Sequence, residues 1–169
     1  MKAKLIIENK EIEVEISEEE YKKLQPSEEK KTGYERVPEY DDYFHESGKG
    51  DVEFEIEDCY DIDNEYYESA NYYSSNTIAE NNARADKLMR QLRRFSVEHR
   101  ECEVDFNSTE TAKHYIYYDC IHDELKTVFT FYAKTFGTIL FGSEETTQAA
   151  IDKFRNELIW YFTEYRDSL

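Results

Sequence analysis

The chain has 169 residues, with 39 acidic side chains against 21 basic ones and a formal net charge of −18. That balance excludes the usual route to nucleic-acid binding, in which a basic protein neutralises phosphates. Leu, Ile, Val and Phe number only 36, close to the level at which a highly charged chain stays disordered, but 26 aromatics, 15 of them Tyr, supply area for a modest core.

Residues 3–7 read as a strand and 8–11 as a turn. Ile12, Val14 and Ile16 then alternate with Glu11, Glu13 and Glu15, the period of a strand with one buried face. Ser17 with Glu20 forms a capping box that opens a short helix, which Pro26 ends. Residues 1–24 are therefore expected as a ββα unit too small to be stable alone, and the polar stretch 25–33 as a linker.

Two further stretches, 34–100 and 101–169, follow one plan: strand, strand, strand, helix. In the first, strands are expected at 40–45 and 52–56, an acidic loop follows, and a short strand at 70–73 leads into a long helix. That helix carries a Thr77/Glu80 capping box, with Ile78, Ala85, Leu88, Met89, Leu92 and Phe95 on one face and Lys87, Arg90 and Arg94 opposite. The bases read as internal counter-charge or a solvated face.

In the second, a hairpin spans 114–121 and 125–133, and a short strand at 138–141 runs into a helix capped by Ser143. The two strand–helix junctions, 71–75 and 139–143, are 68 residues apart. Counting 100° per residue, Ala150, Ile151, Phe154, Leu158, Tyr161, Phe162 and Tyr165 share the inner face of the last helix, and Trp160 projects from the other. Trp160 then either packs beneath the ββα unit or serves as an exposed anchor for a partner. The expected fold is α+β: an N-terminal ββα unit and two β-β-β-α units, each antiparallel sheet packed by a helix.

No apolar run approaches the length of a membrane span, and residues 1–10 lack the pattern of a signal peptide. Three scattered cysteines, Cys59, Cys102 and Cys120, fit a reducing cytoplasm, with Cys120 pointing into the core from a strand. The pairs His99/Cys102 and Cys120/His122 lack the spacing of a structural zinc site. Asp61, Asp63 and Glu65 alternate like the start of a calcium loop, but Tyr66 and Tyr72 stand where glycine and glutamate are required. No nucleophile elbow, metalloprotease motif or phosphate loop occurs. Neither a catalytic residue, a metal nor a cofactor is expected.

Charge, instead, is the strongest feature. Residues 39–75 hold 13 acids and one base, Lys49, so that −12 of the net charge lies in 37 residues. Asp41, Asp42, Glu46, Asp51, Glu53, Glu55, Glu57, Asp58, Asp61, Asp63, Glu65 and Glu68 are interleaved with tyrosines, Tyr66 and Tyr67 among them. On a strand, residues two apart lie about 6.6 Å apart on one face, so Glu53, Glu55 and Glu57 are expected as a rigid row of carboxylates. A nucleic-acid strand is also a row of regular negative charge. Such a sheet suits the basic groove of a nucleic-acid-binding protein, with Tyr66, Tyr67 and Trp160 as flat contact area. The partner is then a protein; neither nucleic acid nor membrane is bound directly.

The opening KAKLIIENKEIEVEISEEEYKKL, the following KTGYERV and the later FGTILFGSEETTQAAI resemble small proteins encoded by phages and prophages of low-GC Gram-positive bacteria. The resemblance covers the chain in outline, with gaps in the acidic middle. Some small acidic phage proteins are anti-CRISPR proteins, which implies for this chain an inhibitor acting in the host bacterial cytoplasm on a type II RNA-guided nuclease, by DNA mimicry that blocks target-DNA binding. No site residue is inherited from the resemblance. A phage structural or accessory interaction module, its acidity serving solubility and Trp160 serving assembly, is the alternative.

Overall fold

The computed structural model describes residues 2–7, 10–15, 17, 31–100, 105, 107–132 and 135–167. Among these residues it is a mixed α/β structure with three two-stranded antiparallel sheets and three helices. The chain divides into two compact units, residues 1–31 and 32–169.

The first unit is a hairpin of β1 (Lys2–Ile7) and β2 (Lys10–Glu15), with Leu5 opposite Ile12 and Ala3 opposite Val14. The helix expected after Ser17 lies outside the described residues.

The second unit opens with the hairpin of β3 (Asp42–Glu46) and β4 (Val52–Ile56), followed by α1 (Asp61–Glu68) and α2 (Asn76–Glu98). A second hairpin, β5 (Lys113–Asp119) and β6 (Glu124–Thr130), precedes α3 (Glu144–Thr163). The first hairpin packs against α2 and the second against α3, and the two helices pack on each other. The main core lies between them: Leu88, Leu92 and Phe95 of α2 meet Ala150, Ile151 and Leu158 of α3 and the fully buried Phe141. A smaller cluster joins Tyr73, Ile78 and Ala79 to Tyr34, Phe44 and Val52. Gly33 is required there, because its φ of +96° is left-handed and a Cβ would sit 2.8 Å from Ile78.

Neither short third strand forms in full. Tyr73 makes one bridge to Phe44, and Phe141 makes one to His114. Each bridge residue precedes a helix by the same interval, and Ser75 and Ser143 occupy the two N-cap positions. The capping chemistry differs. Ser143 Oγ accepts from the Thr146 amide at 3.2 Å, whereas α2 starts one residue before Thr77 and Asn76 donates instead to Glu80.

The loop expected after β4 folds as α1. Its Asp63 faces inward and accepts the Tyr60 amide at 2.9 Å, closing the first turn. Cys120 does not enter the core: β5 ends at Asp119, and Cys120 is exposed in the turn, where Asp123 takes the left-handed conformation. A buried cation also went unread: Lys113 is 2% exposed and donates to the carbonyls of Ser108, Thr111 and Phe131. Among the described residues no helix is long and apolar enough to cross a membrane.

Phe141 joins the bridge to the core, whereas Phe136 stands fully exposed. Phe141→Ala should lower the unfolding free energy by about 3–5 kcal/mol, while Phe136→Ala should stay within about 0.5 kcal/mol, both read from urea denaturation.

Candidate acidic interface

The acidic stretch is organised around two carboxylates that leave the surface. Glu57, one residue past the end of β4, is 1% exposed. Arg36 grips it with a two-pronged contact, Nε to Oε2 at 2.9 Å and a terminal nitrogen to Oε1 at 2.8 Å. Tyr72 donates its phenol to Oε2 at 2.8 Å, and the Cys59 amide donates to Oε1 at 3.0 Å. Arg36 also donates to Asn64 on α1 at 2.7 Å. The bond from Arg36, reinforced by Tyr72 and outweighing burial, lowers the Glu57 pKa to about 2.

Asp63 is the second. It is buried on the inner side of α1 and accepts from the phenol of Tyr43 at 2.9 Å and from the amides of Asp58 and Tyr60. Tyr43 and Tyr72 stack at 4.1 Å, so the two carboxylate clusters share an aromatic wall. Burial, helped by the carboxylate each phenol binds, raises the pKa of both tyrosines. Tyr66 of α1 stacks on His45 at 4.2 Å, and Tyr67, more exposed, meets Tyr72 edge-on with Arg36 above its ring. His45 is buried, and neither of its ring nitrogens has a hydrogen-bond partner among the described residues.

The expected row of three carboxylates is thus a row of two. Glu53 and Glu55 stay exposed on the β4 face opposite His45 and Tyr43, whereas Glu57 is drawn inside by Arg36. Glu46 is partly buried and paired with Arg90 of α2 at 2.7 Å, and the Asn71 amide group bonds both its backbone N–H and its C=O. Asn71 carries no charge, and only its place beside the Phe44–Tyr73 bridge gives it this role. Asp41, Asp42, Asp51, Asp58, Asp61, Glu65 and Glu68 are all exposed. On α1 the spacing of Asp61, Glu65 and Glu68 puts them on one outward stripe, with Asp63 turned in.

Trp160 is not an exposed anchor. It is 8% exposed, with the Arg84 guanidinium 3.9 Å from its ring centre and Tyr165 at 5.7 Å. Arg84 in turn binds Glu157 at 2.7 Å. α3 is kinked at Phe154, with φ −109° and ψ 16°; beyond the kink Leu158 keeps the inner place that the helical phase gives it, but Trp160 is buried and Phe162 exposed. Arg84 and Arg90 act as the internal counter-charge expected of the basic face of α2.

At the tip of the second hairpin, Asp119, His122 and Glu124 offer three ligand atoms within 4.8 Å of one another. The Lys126 ammonium already lies 2.7 Å from Asp119 and 2.6 Å from Glu124. Bonds from Lys126 and then His122 hold the Asp119 carboxyl well below the usual range. Cys102 lies outside the described residues.

No family model matches the chain, and no curated protein or solved structure is significantly similar to it.

Because the Glu57 carboxyl is lowered from 4.5 to about 2, its stabilising effect is complete above pH 4.5 and is lost as the pH falls toward 2. Glu57→Ala, which leaves Arg36 and Tyr72 without their partner, should cost about 3 kcal/mol at neutral pH. It should also flatten the stability profile across that acid window. Glu55→Gln should do neither, measured by urea denaturation from pH 2 to 7.

Proposed function

We propose that the protein is an inhibitor that binds the basic nucleic-acid-binding surface of a partner protein. In its specific form, it is a phage-encoded anti-CRISPR protein of the host cytoplasm that mimics DNA and blocks target-DNA binding by a type II RNA-guided nuclease. It performs no chemistry itself. The observation that carries this proposal is the exposure of the acidic stretch: ten of the thirteen carboxylates between residues 39 and 68 are exposed, and Lys49 is the one base there.

Such a concentration of one sign costs self-repulsion, which a basic partner relieves on binding. Charge complementarity speeds encounter, and release is slowed by the exposed apolar and aromatic side chains interleaved with the acids in sequence, Phe54, Ile56, Tyr60 and Tyr67. Guide-loaded nucleases offer a channel and base-reading arginines built to meet phosphate. The proposal extends to the finer architecture, an N-terminal ββα unit followed by two β-β-β-α units, supported by the paired bridges ahead of α2 and α3. The alternative, an accessory module assembling through Trp160, loses its anchor because Arg84 and Tyr165 cover that ring.

The test is target-DNA binding by a guide-loaded type II nuclease at moderate salt in the presence of the purified chain. Binding should be blocked. Combined Glu53→Gln, Glu55→Gln, Glu65→Gln and Glu68→Gln should reduce potency by about tenfold or more, with the melting temperature unchanged. Undiminished DNA binding at excess protein would reject the proposal.

A further inference from the structure

The first hairpin has two edges, and the chain treats them differently. Glu57 donates its amide to the Asp41 carbonyl at 3.0 Å, and Ser47 donates to the Asp51 carbonyl at 2.7 Å. Between these, the register pairs Tyr43 with Glu55 and His45 with Glu53 as the hydrogen-bonded positions. The alternate residues therefore turn their backbone groups outward: Phe44 on β3, and Val52, Phe54 and Ile56 on β4. Phe44 is satisfied, exchanging bonds of 2.9 and 2.8 Å with Tyr73. Val52, Phe54 and Ile56 have no such partner among the described residues, so β4 is an open edge.

That edge is exposed on both faces. Glu53 and Glu55 project from one, while Phe54, 64% exposed, and Ile56, 49% exposed, project from the other. Three features thus coincide within five residues: backbone groups with no partner among the described residues, uncovered apolar side chains and exposed carboxylates.

Charge decides what can lie there. A second copy paired antiparallel about Phe54 would set Glu53 against Glu55 twice, and a parallel copy would also align carboxylates on one face. Directly opposed like charges destabilise a strand pair, and charged residues on an edge are a known guard against self-association. A strand with arginine or lysine at alternate positions meets the same carboxylates favourably, and its intervening apolar residues cover Phe54 and Ile56.

We infer that the open edge of β4 is a docking strand that receives an extended segment of a basic partner, with alternating basic and apolar residues, by β-augmentation. Main-chain bonds to Val52, Phe54 and Ile56 supply the pairing, and Glu53 and Glu55 select the charge. The inference rests on the proposal of a basic partner and names how that partner is held.

The test uses the full chain and needs no nuclease. The probe is a capped five-residue peptide alternating valine and arginine, with valine at both ends, titrated while the amide resonances of the protein are followed. The amides of Val52, Phe54 and Ile56 should shift saturably, and their exchange should slow by about tenfold at saturation. The same peptide N-methylated at its valines, or with glutamate for arginine, should not bind, and Glu53→Gln with Glu55→Gln should weaken binding by about tenfold. Absence of binding, equal binding of either control, or concentration-dependent protection of these amides in the protein alone would overturn the inference.

Phe54→Pro removes an outward N–H without touching the ladder to β3. If this variant blocks the nuclease as well as the parent does, the docking strand is wrong and the inhibitory function stands. If the peptide binds as expected and the nuclease is unaffected, the docking strand stands and that function falls.

Discussion

The pairing of Arg36 with Glu57 is the constraint on which the acidic half of the structure depends. Glu57 follows β4, Arg36 precedes β3, Tyr72 leads into the bridge ahead of α2, and Asn64 belongs to α1. One buried carboxylate thus ties together four segments distant in sequence. An unpaired carboxylate at this depth would protonate or unfold its surroundings. Two prongs of a guanidinium, a phenol and a backbone amide use its lone pairs and make burial tolerable.

Asp63 extends the same solution into α1. The helix is otherwise poorly supported, with four acids in eight residues and no basic residue in its last turn. It holds because one acid turns inward to accept a phenol and two amides, while Tyr66 stacks on His45 and Tyr67 meets Tyr72 edge-on. Removing Glu57 and Asp63 from the surface leaves fewer carboxylates outside, but those that remain are held on a scaffold that cannot relax away from their repulsion. That is the physical basis for a preorganised acidic surface, whose repulsion the proposed basic partner would relieve on contact.

The bases of α2 work in the opposite sense. Arg90 joins Glu46 of the first hairpin and Arg84 joins Glu157 of α3, so two bases of this helix are paired inside the unit, while Lys87, Arg93 and Arg94 stay exposed. Arg84 also covers Trp160, which packing more than electrostatics accounts for: a guanidinium is planar, weakly hydrated and lies flat on an indole.

What the sequence determined by itself was whatever depends on neighbours along the chain. Alternation of Val52, Phe54 and Ile56 with glutamates set the strand, the 3.6-residue stripe of Leu88, Leu92 and Phe95 set the inner face of α2, and Ser143 set the start of α3. The acidity of residues 39–68, on which the proposal of a basic partner rests, was equally legible because charge needs no geometry to be counted. The tertiary structure decided which of those acids face water. Glu57 looks identical to Glu53 and Glu55 in the pattern and differs only because Arg36, 21 residues away, lies beside it. Trp160 was misplaced for a related reason: beyond the kink at Phe154 it is covered by Arg84 of α2 and by Tyr165, contacts that no local propensity announces. α1 was missed because its stability comes from the ring contacts of Tyr66 and Tyr67 and from Asp63, contacts made across the fold rather than along the chain. The open edge of β4 belongs to the same class, since a strand's pattern shows its two faces while only the assembled sheet shows which of its edges is left unpaired.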